Sequence, residues 1–173
     1  MRVALVVVAA LLAAAPPAFA QRKAAPEPAR PVPESVYSGR WYEIARTPNR
    51  RQRTCQAPTV DFANQAGRRS FSLTCRQGSP AGKASTRTGR MTLIDGARNA
   101  KFEADFFAGL GATYYVLDRA DDSRWALLGT SGGNFVWLLS RTPTLPPGVR
   151  EAAVARARAL GYAVLEFPQQ PPA

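Results

Sequence analysis

Trp41 and Arg141 are the residues of this chain whose types do something specific together: a guanidinium laid on an indole face is attracted by the ring's quadrupole and shields it from water. They stand about a hundred residues apart, one in Gly39-Arg40-Trp41 and the other closing Trp137-Leu138-Leu139-Ser140-Arg141. They can meet only if the first and last strands of a sheet become neighbours, which is how a closed barrel removes its edges. Catalytic chemistry is harder to assemble. The chain has no histidine, which removes the usual general base, the Ser-His and Cys-His nucleophile pairs and the commonest metal ligand. Glu103 and Asp105 share a parity but alternate with Phe102 and Phe106, so they face solvent. No phosphate loop, Cys-x-x-Cys or Gly-x-Ser-x-Gly occurs. No enzymatic activity, cofactor or metal is expected.

The first twenty residues read as an export signal, with Arg2 as the basic start, an apolar run over residues 3–15 and Ala18-Phe19-Ala20 as the cleavage site. Pro16-Pro17 interrupts that run short of the roughly 20 residues a membrane span needs. No later segment is apolar enough to span, and no cysteine stands at the cleavage point. The expected product is therefore periplasmic or secreted, without an N-terminal lipid anchor. Residues 21–35, with Pro26, Pro28, Pro31 and Pro33, read as a Pro-rich linker that cannot join a ladder and runs extended. Residues 36–170 form one domain.

Export to an oxidising compartment makes Cys55 and Cys75 informative. They flank two strand-like runs joined by a turn, and folding the hairpin at residue 65 sets them opposite each other, as a disulfide requires. The alternative is a pair of inert thiols. Net charge is +11, carried almost wholly by arginine. That balance suits phosphate or lipid headgroups, or merely a solvated surface; no nucleic-acid partner is expected. Arg46, Arg50, Arg51 and Arg53 cluster just after the first strand, where a barrel rim could meet an anionic headgroup.

Period-two alternation recurs through the middle of the chain, which argues half-buried antiparallel strands. Eight are expected: 41–45, 59–62, 71–74, 85–94, 100–106, 114–118, 124–128 and 134–140. Eight is the number at which an up-and-down barrel holds one small ligand. One helix follows at 147–160, with Pro147 in its first turn and Gly161 as C-terminal cap. Its stripe of Val149, Ala152, Ala153, Arg156 and Leu160 places it outside the wall. Residues 163–167 read as a short strand. The fold class is all-β: an eight-stranded antiparallel up-and-down barrel with one C-terminal α-helix packed outside.

Gly39-Arg40-Trp41-Tyr42-Glu43-Ile44-Ala45-Arg46, Tyr114-Tyr115-Val116-Leu117, Arg124-Trp125-Ala126-Leu127-Leu128 and Phe135-Val136-Trp137-Leu138-Leu139-Ser140-Arg141-Thr142-Pro143 resemble the lipocalins. The resemblance is to the bacterial branch that includes apolipoprotein D, and it runs over residues 36–170. It implies a carrier of a fatty acid, lysophospholipid or similar amphiphile, with Gly39, Trp41 and Arg141 closing the barrel. Two departures stand out. The Asp and Tyr usual between the sixth and seventh strands are Ala120 and Ser123, with Asp118, Asp121 and Asp122 nearby; the lipid-attachment cysteine of many bacterial relatives is missing.

Strand parity maps the cup. If Arg141 covers Trp41, then Leu139, Trp137 and Phe135 point inward at two-residue steps, as do Glu43 and Ala45 on the first strand, while Tyr42 and Ile44 face the helix. Elsewhere the inward set is Val60, Phe62, Phe71, Leu73, Met91, Leu93, Phe102 and Phe106, with Tyr114 or Tyr115 adding a hydroxyl. Each inward aromatic either lines a ligand cavity or fills the core. Glu43 must be paired, protonated or wet; its partner is a ligand's polar head or a neighbouring arginine. The expected function is ligand carriage in the cavity. The rival is a filled barrel whose Arg-rich face binds envelope polyanions or a protein.

Overall fold

A computed structural model describes residues 24–106 and 110–171. The export signal lies outside the described residues, as does the connection 107–109. The strands are β1 (Gly39–Arg46), β2 (Cys55–Gln65), β3 (Arg68–Gln77), β4 (Ala84–Leu93), β5 (Lys101–Phe106), β6 (Leu110–Arg119), β7 (Trp125–Thr130) and β8 (Val136–Ser140). Each pairs antiparallel with the next and β8 pairs with β1, so the sheet closes into a barrel. Helix α1 spans Pro147–Ala159 and packs outside.

One end of the barrel is a base and the other a mouth. The β2–β3, β4–β5 and β6–β7 connections and the entry to β1 lie at the base; residues 47–54, 78–83 and 131–135 lie at the mouth. Inside runs a cluster containing Trp41, Val60, Phe62, Phe71, Met91, Phe102 and Leu139. A second cluster, with Ile44, Leu117, Leu127, Leu138, Ala153, Val154 and Ala157, seals α1 against the outer wall. The stripe of α1 is thus Ala153, Val154 and Ala157, rotated from the expected one: Ala152 is exposed, and Arg156 reaches sideways to Asp118. The last segment forms only an isolated bridge, Arg46 to Glu166.

Gly39 stands at a φ of +64°, in the left-handed region that favours glycine. That kink starts β1 directly beneath Arg141, whose guanidinium lies 3.8 Å from the Trp41 ring centre. Arg141 Nη1 donates to the Ser38 carbonyl at 2.6 Å, and Trp41 Nε1 donates to the Val36 carbonyl at 2.9 Å. Beside this stacked pair, the 3-10 turn Glu34–Tyr37 drives Val36 and Tyr37 into the interior.

The Pro-rich lead is docked along its described length. Its N–H groups at Ala25, Ala29 and Val32 donate to Ser131, Leu117 and Arg98 carbonyls, so it descends the wall from mouth to base. Val32 joins the interior cluster and Ala25 the outer one. Nearby, Asp118 binds Arg30 and Arg156. This ties lead, wall and helix together at the β6–β7 corner. Burial acts to raise the Asp118 carboxyl, but the Arg156 hydrogen bond, the Arg119 N–H and both cations outweigh it and hold it below the usual range.

A bulge and the position of a turn overturn expectations of parity and register. Between Glu43 and Ala45 the β1–β8 pairing shifts, so Ala45 joins Ile44 in the outer cluster instead of facing inward. In the β2–β3 hairpin the turn is at Ala66-Gly67, both at positive φ as a tight hairpin turn requires. That turn sits farther along the chain than the expected one at residue 65, and even with the shift between Gln56 and Thr59 it leaves Cys55 opposite Gln77 rather than Cys75. The cysteines are diagonal neighbours with Cα atoms 5.3 Å apart, and they are disulfide-bonded.

Candidate ligand site

The interior divides at the level of Tyr114. Below it the aromatic rings fill the space: Tyr37 meets Phe62 and Phe102 edge-on at 6.0 and 5.8 Å, and Phe102 stacks on Tyr114 at 5.4 Å. The cavity left among Tyr37, Trp41, Phe62, Phe102, Val116 and Leu139 is about 10 Å³, about enough for one water molecule. A larger concavity of about 300 Å³ lies outside the barrel between α1 and Phe167 and involves no strand.

Above that level the lining opens. Phe106, Tyr114, Phe135 and Trp137 are half-buried, and the ring series continues upward from Tyr114 to Trp137 at 5.9 Å and Phe135 at 6.1 Å. On either side of Gly89 in β4, Phe106 of β5 meets Phe71 of β3 at 5.2 Å. Phe71 fits because Gly89 lies opposite it: a Cβ there would sit 2.4 Å from the ring. Farther up β4, Ala84–Thr88 is exposed on both faces, so its inward parity looks onto solvent. Leu73, expected in the cavity, keeps that parity but is 36% exposed, and it stands beside Arg87.

The polar part of the site is a buried network. Glu43 accepts from Arg46 Nη1 at 2.8 Å and from Gln52 Nε2 at 2.9 Å. Arg46 also donates to Glu166 and to the Gln52 and Cys55 carbonyls. Arg46 was expected on the rim, but the β1 bulge turns it inward and leaves it 2% exposed; it is committed to Glu43 and is no headgroup contact. Burial raises the Glu43 carboxyl above its ordinary range, against the pull of Arg46 and Gln52. Gln52 Oε1 in turn accepts from Trp137 Nε1 at 3.0 Å, which fastens the turn Arg50–Gln52 over the mouth. Burial likewise raises the Tyr114 hydroxyl, and the positive charge of Arg51 opposes it. Arg50, Arg51 and Arg53 are exposed.

The structure therefore places Trp41, Val60, Phe62, Phe71, Met91, Phe102 and Leu139 in the interior cluster, with Leu93, Phe106, Tyr114 and Trp137 packed on it. Tyr115 faces outward. Sequence reasoning missed Tyr37, Gln52 and Arg87. Parity with Met91 could have found Arg87; Tyr37 was hidden by its position at the edge of the Pro-rich lead, and Gln52 lies in a loop with no periodicity.

A family model described as a lipocalin-like domain matches residues 34–172. The chain belongs to the lipocalin family. This lipocalin is 25% identical over 142 residues to the outer membrane lipoprotein Blc of Vibrio cholerae serotype O1, covering 79% of this chain and 82% of that protein. It is 28% identical over 131 residues to the outer membrane lipoprotein Blc of Escherichia coli K12, covering 76% and 74%. Insecticyanin from the tobacco hornworm Manduca sexta superposes with a TM-score of 0.68 at 13% identity, covering 84% of each chain. Lobster apocrustacyanin A1 superposes with a TM-score of 0.63 at 16% identity, covering 86% and 92%. Those two likenesses concern the fold alone. Among the described residues, no helix of this lipocalin is long and apolar enough to cross a membrane.

Proposed function

We propose that this lipocalin is an exported carrier, periplasmic or secreted, that holds a small hydrophobic or amphiphilic molecule in the mouth half of its barrel. A fatty acid, a lysophospholipid or a similar amphiphile is the class the family resemblance implies. The observation that carries the reading is the set of half-buried rings Phe106, Tyr114, Phe135 and Trp137 above a filled base. Each ~100 Å² of apolar ligand surface buried there contributes about 2.5 kcal/mol before ordering costs. Arg50, Arg51 and Arg53 stand on the mouth turn where they can meet a charged head; Glu43 has its partner in Arg46 and needs none from a ligand. No catalytic step is part of this reading, and no cofactor is needed.

Native mass spectrometry of the mature protein, followed by titration with a fluorescent fatty acid while tryptophan emission is recorded, tests it. The expected result is saturable one-to-one quenching that persists at high salt. The filled base favours a second reading, in which the arginine-rich exterior binds a polyanion or a protein. Its signature is no saturable quenching, with a surface complex that weakens steeply as salt rises.

A further inference from the structure

The mouth is shallow, and it carries exposed basic side chains. Tyr114, which stacks on the buried Phe102, is the fifth residue of β6 counted from Leu110 at the mouth. Four steps of strand are about 13 Å, or about 10 Å along the axis at the usual barrel tilt. On the other side Trp137 is only the second residue of β8. Below these rings the 10 Å³ cavity admits no chain.

Charge at this opening comes from two places. Arg51 is exposed on the turn held over Trp137 by Gln52, near enough to Tyr114 for its charge to be felt there. Arg87 stands on the inward parity of β4, two residues above Gly89, and pairs in register with the exposed Leu73. Neither arginine has an ion-pair partner among the described residues, a state they share with Arg50 and Arg53 on the same mouth turn as Arg51.

We propose that the mouth is a site for a compact organic anion, a short-chain or aromatic carboxylate, whose apolar body rests on Tyr114, Trp137, Phe106 and Leu73 and whose charge is met by Arg51 and Arg87. The proposal rests on the carrier reading and narrows its ligand class. A long acyl chain gains nothing beyond the depth of the mouth, because its remaining methylenes stay in water. Each methylene that does enter strengthens binding about four-fold.

The test is a series of straight-chain carboxylates from butyrate to palmitate, with naphthoate as the aromatic member and octanol as the neutral counterpart of octanoate, titrated against tryptophan emission. Affinity should rise about four-fold per methylene up to octanoate and then stay level. Naphthoate should bind at least as tightly as octanoate. Replacing both exposed arginines, Arg51→Gln with Arg87→Gln, should weaken octanoate ten-fold or more and leave octanol unchanged. Affinity that climbs steadily to palmitate overturns the depth limit while leaving the carrier reading intact. Equal binding of octanol and octanoate, unaffected by the arginine substitutions, overturns the anion assignment. If no member of the series binds, the carrier reading fails together with the narrower proposal.

Discussion

Arg46→Ala is the sharpest perturbation available, because it removes one guanidinium from the centre of the buried network. Arg46 is 2% exposed and donates to Glu43, Glu166 and the carbonyls of Gln52 and Cys55. Without it, Glu43 keeps only the Gln52 amide, and a carboxylate remains buried without a counter-charge. Breaking one side of a buried pair costs about 3–5 kcal/mol. With a urea dependence near 2 kcal/mol per molar, the unfolding midpoint should fall by about 2 M. The loss should also depend on pH. Burial raises Glu43 in the folded state, so its protonation contributes stability that is present at low pH and lost as the pH rises through the folded value. Removing Arg46 removes a charge that opposes that rise, so the deficit should be smaller at about pH 5 than at about pH 8. Urea unfolding of wild type, Arg46→Ala, Glu43→Gln and the double variant at both pH values makes a complete cycle. The double variant should recover at least half of the Arg46→Ala loss. A loss below about 1 kcal/mol, or no recovery in the double variant, would refute the view that an uncompensated Glu43 is what the network prevents.

Trp41→Ala should cost about 3–5 kcal/mol, since the indole is fully buried and Nε1 holds the Val36 carbonyl; Arg141→Ala should cost about 1–2 kcal/mol through the lost cation–π contact. Both should shift the urea midpoint without changing ligand preference, and a stable variant with altered selectivity would contradict the closure assignment. Gly89→Ala places a methyl 2.4 Å from the Phe71 ring and 2.7 Å from the Asp105 carbonyl oxygen, so thermal unfolding should report a loss of about 1–3 kcal/mol, with weaker ligand binding as Phe71 is pushed aside. Asp118 is held below its ordinary value of 3.8, and its stabilisation is complete above that value and lost as the pH falls through the folded one. An acid-unfolding curve of Asp118→Asn should therefore lack part of the steep decline of the wild type.

The strand count, the closure and the meeting of Trp41 with Arg141 were legible in the sequence because they follow from local facts: period-two alternation, a glycine before Trp41 and one arginine at the end of the last strand. The disulfide pair followed from compartment and hairpin, although its register did not. What failed were parities beyond a bulge. A single extra residue at Ile44 sent Ala45 outward and Arg46 inward, and the identity of those residues carries no mark of it. Only the tertiary structure made Arg46 the partner of Glu43, because the guanidinium's other acceptors come from a loop and from Glu166, about 120 residues away along the chain. It likewise turned the Pro-rich lead into part of the wall, since prolines leave carbonyls and the scattered N–H groups free to dock on a surface that must first exist. Alternation by itself determined that a cup would form, since each strand decides its own two faces. How deep the cup is depended on where rings from distant strands, Tyr37, Phe102 and Tyr114, meet on the axis, and that is settled by packing.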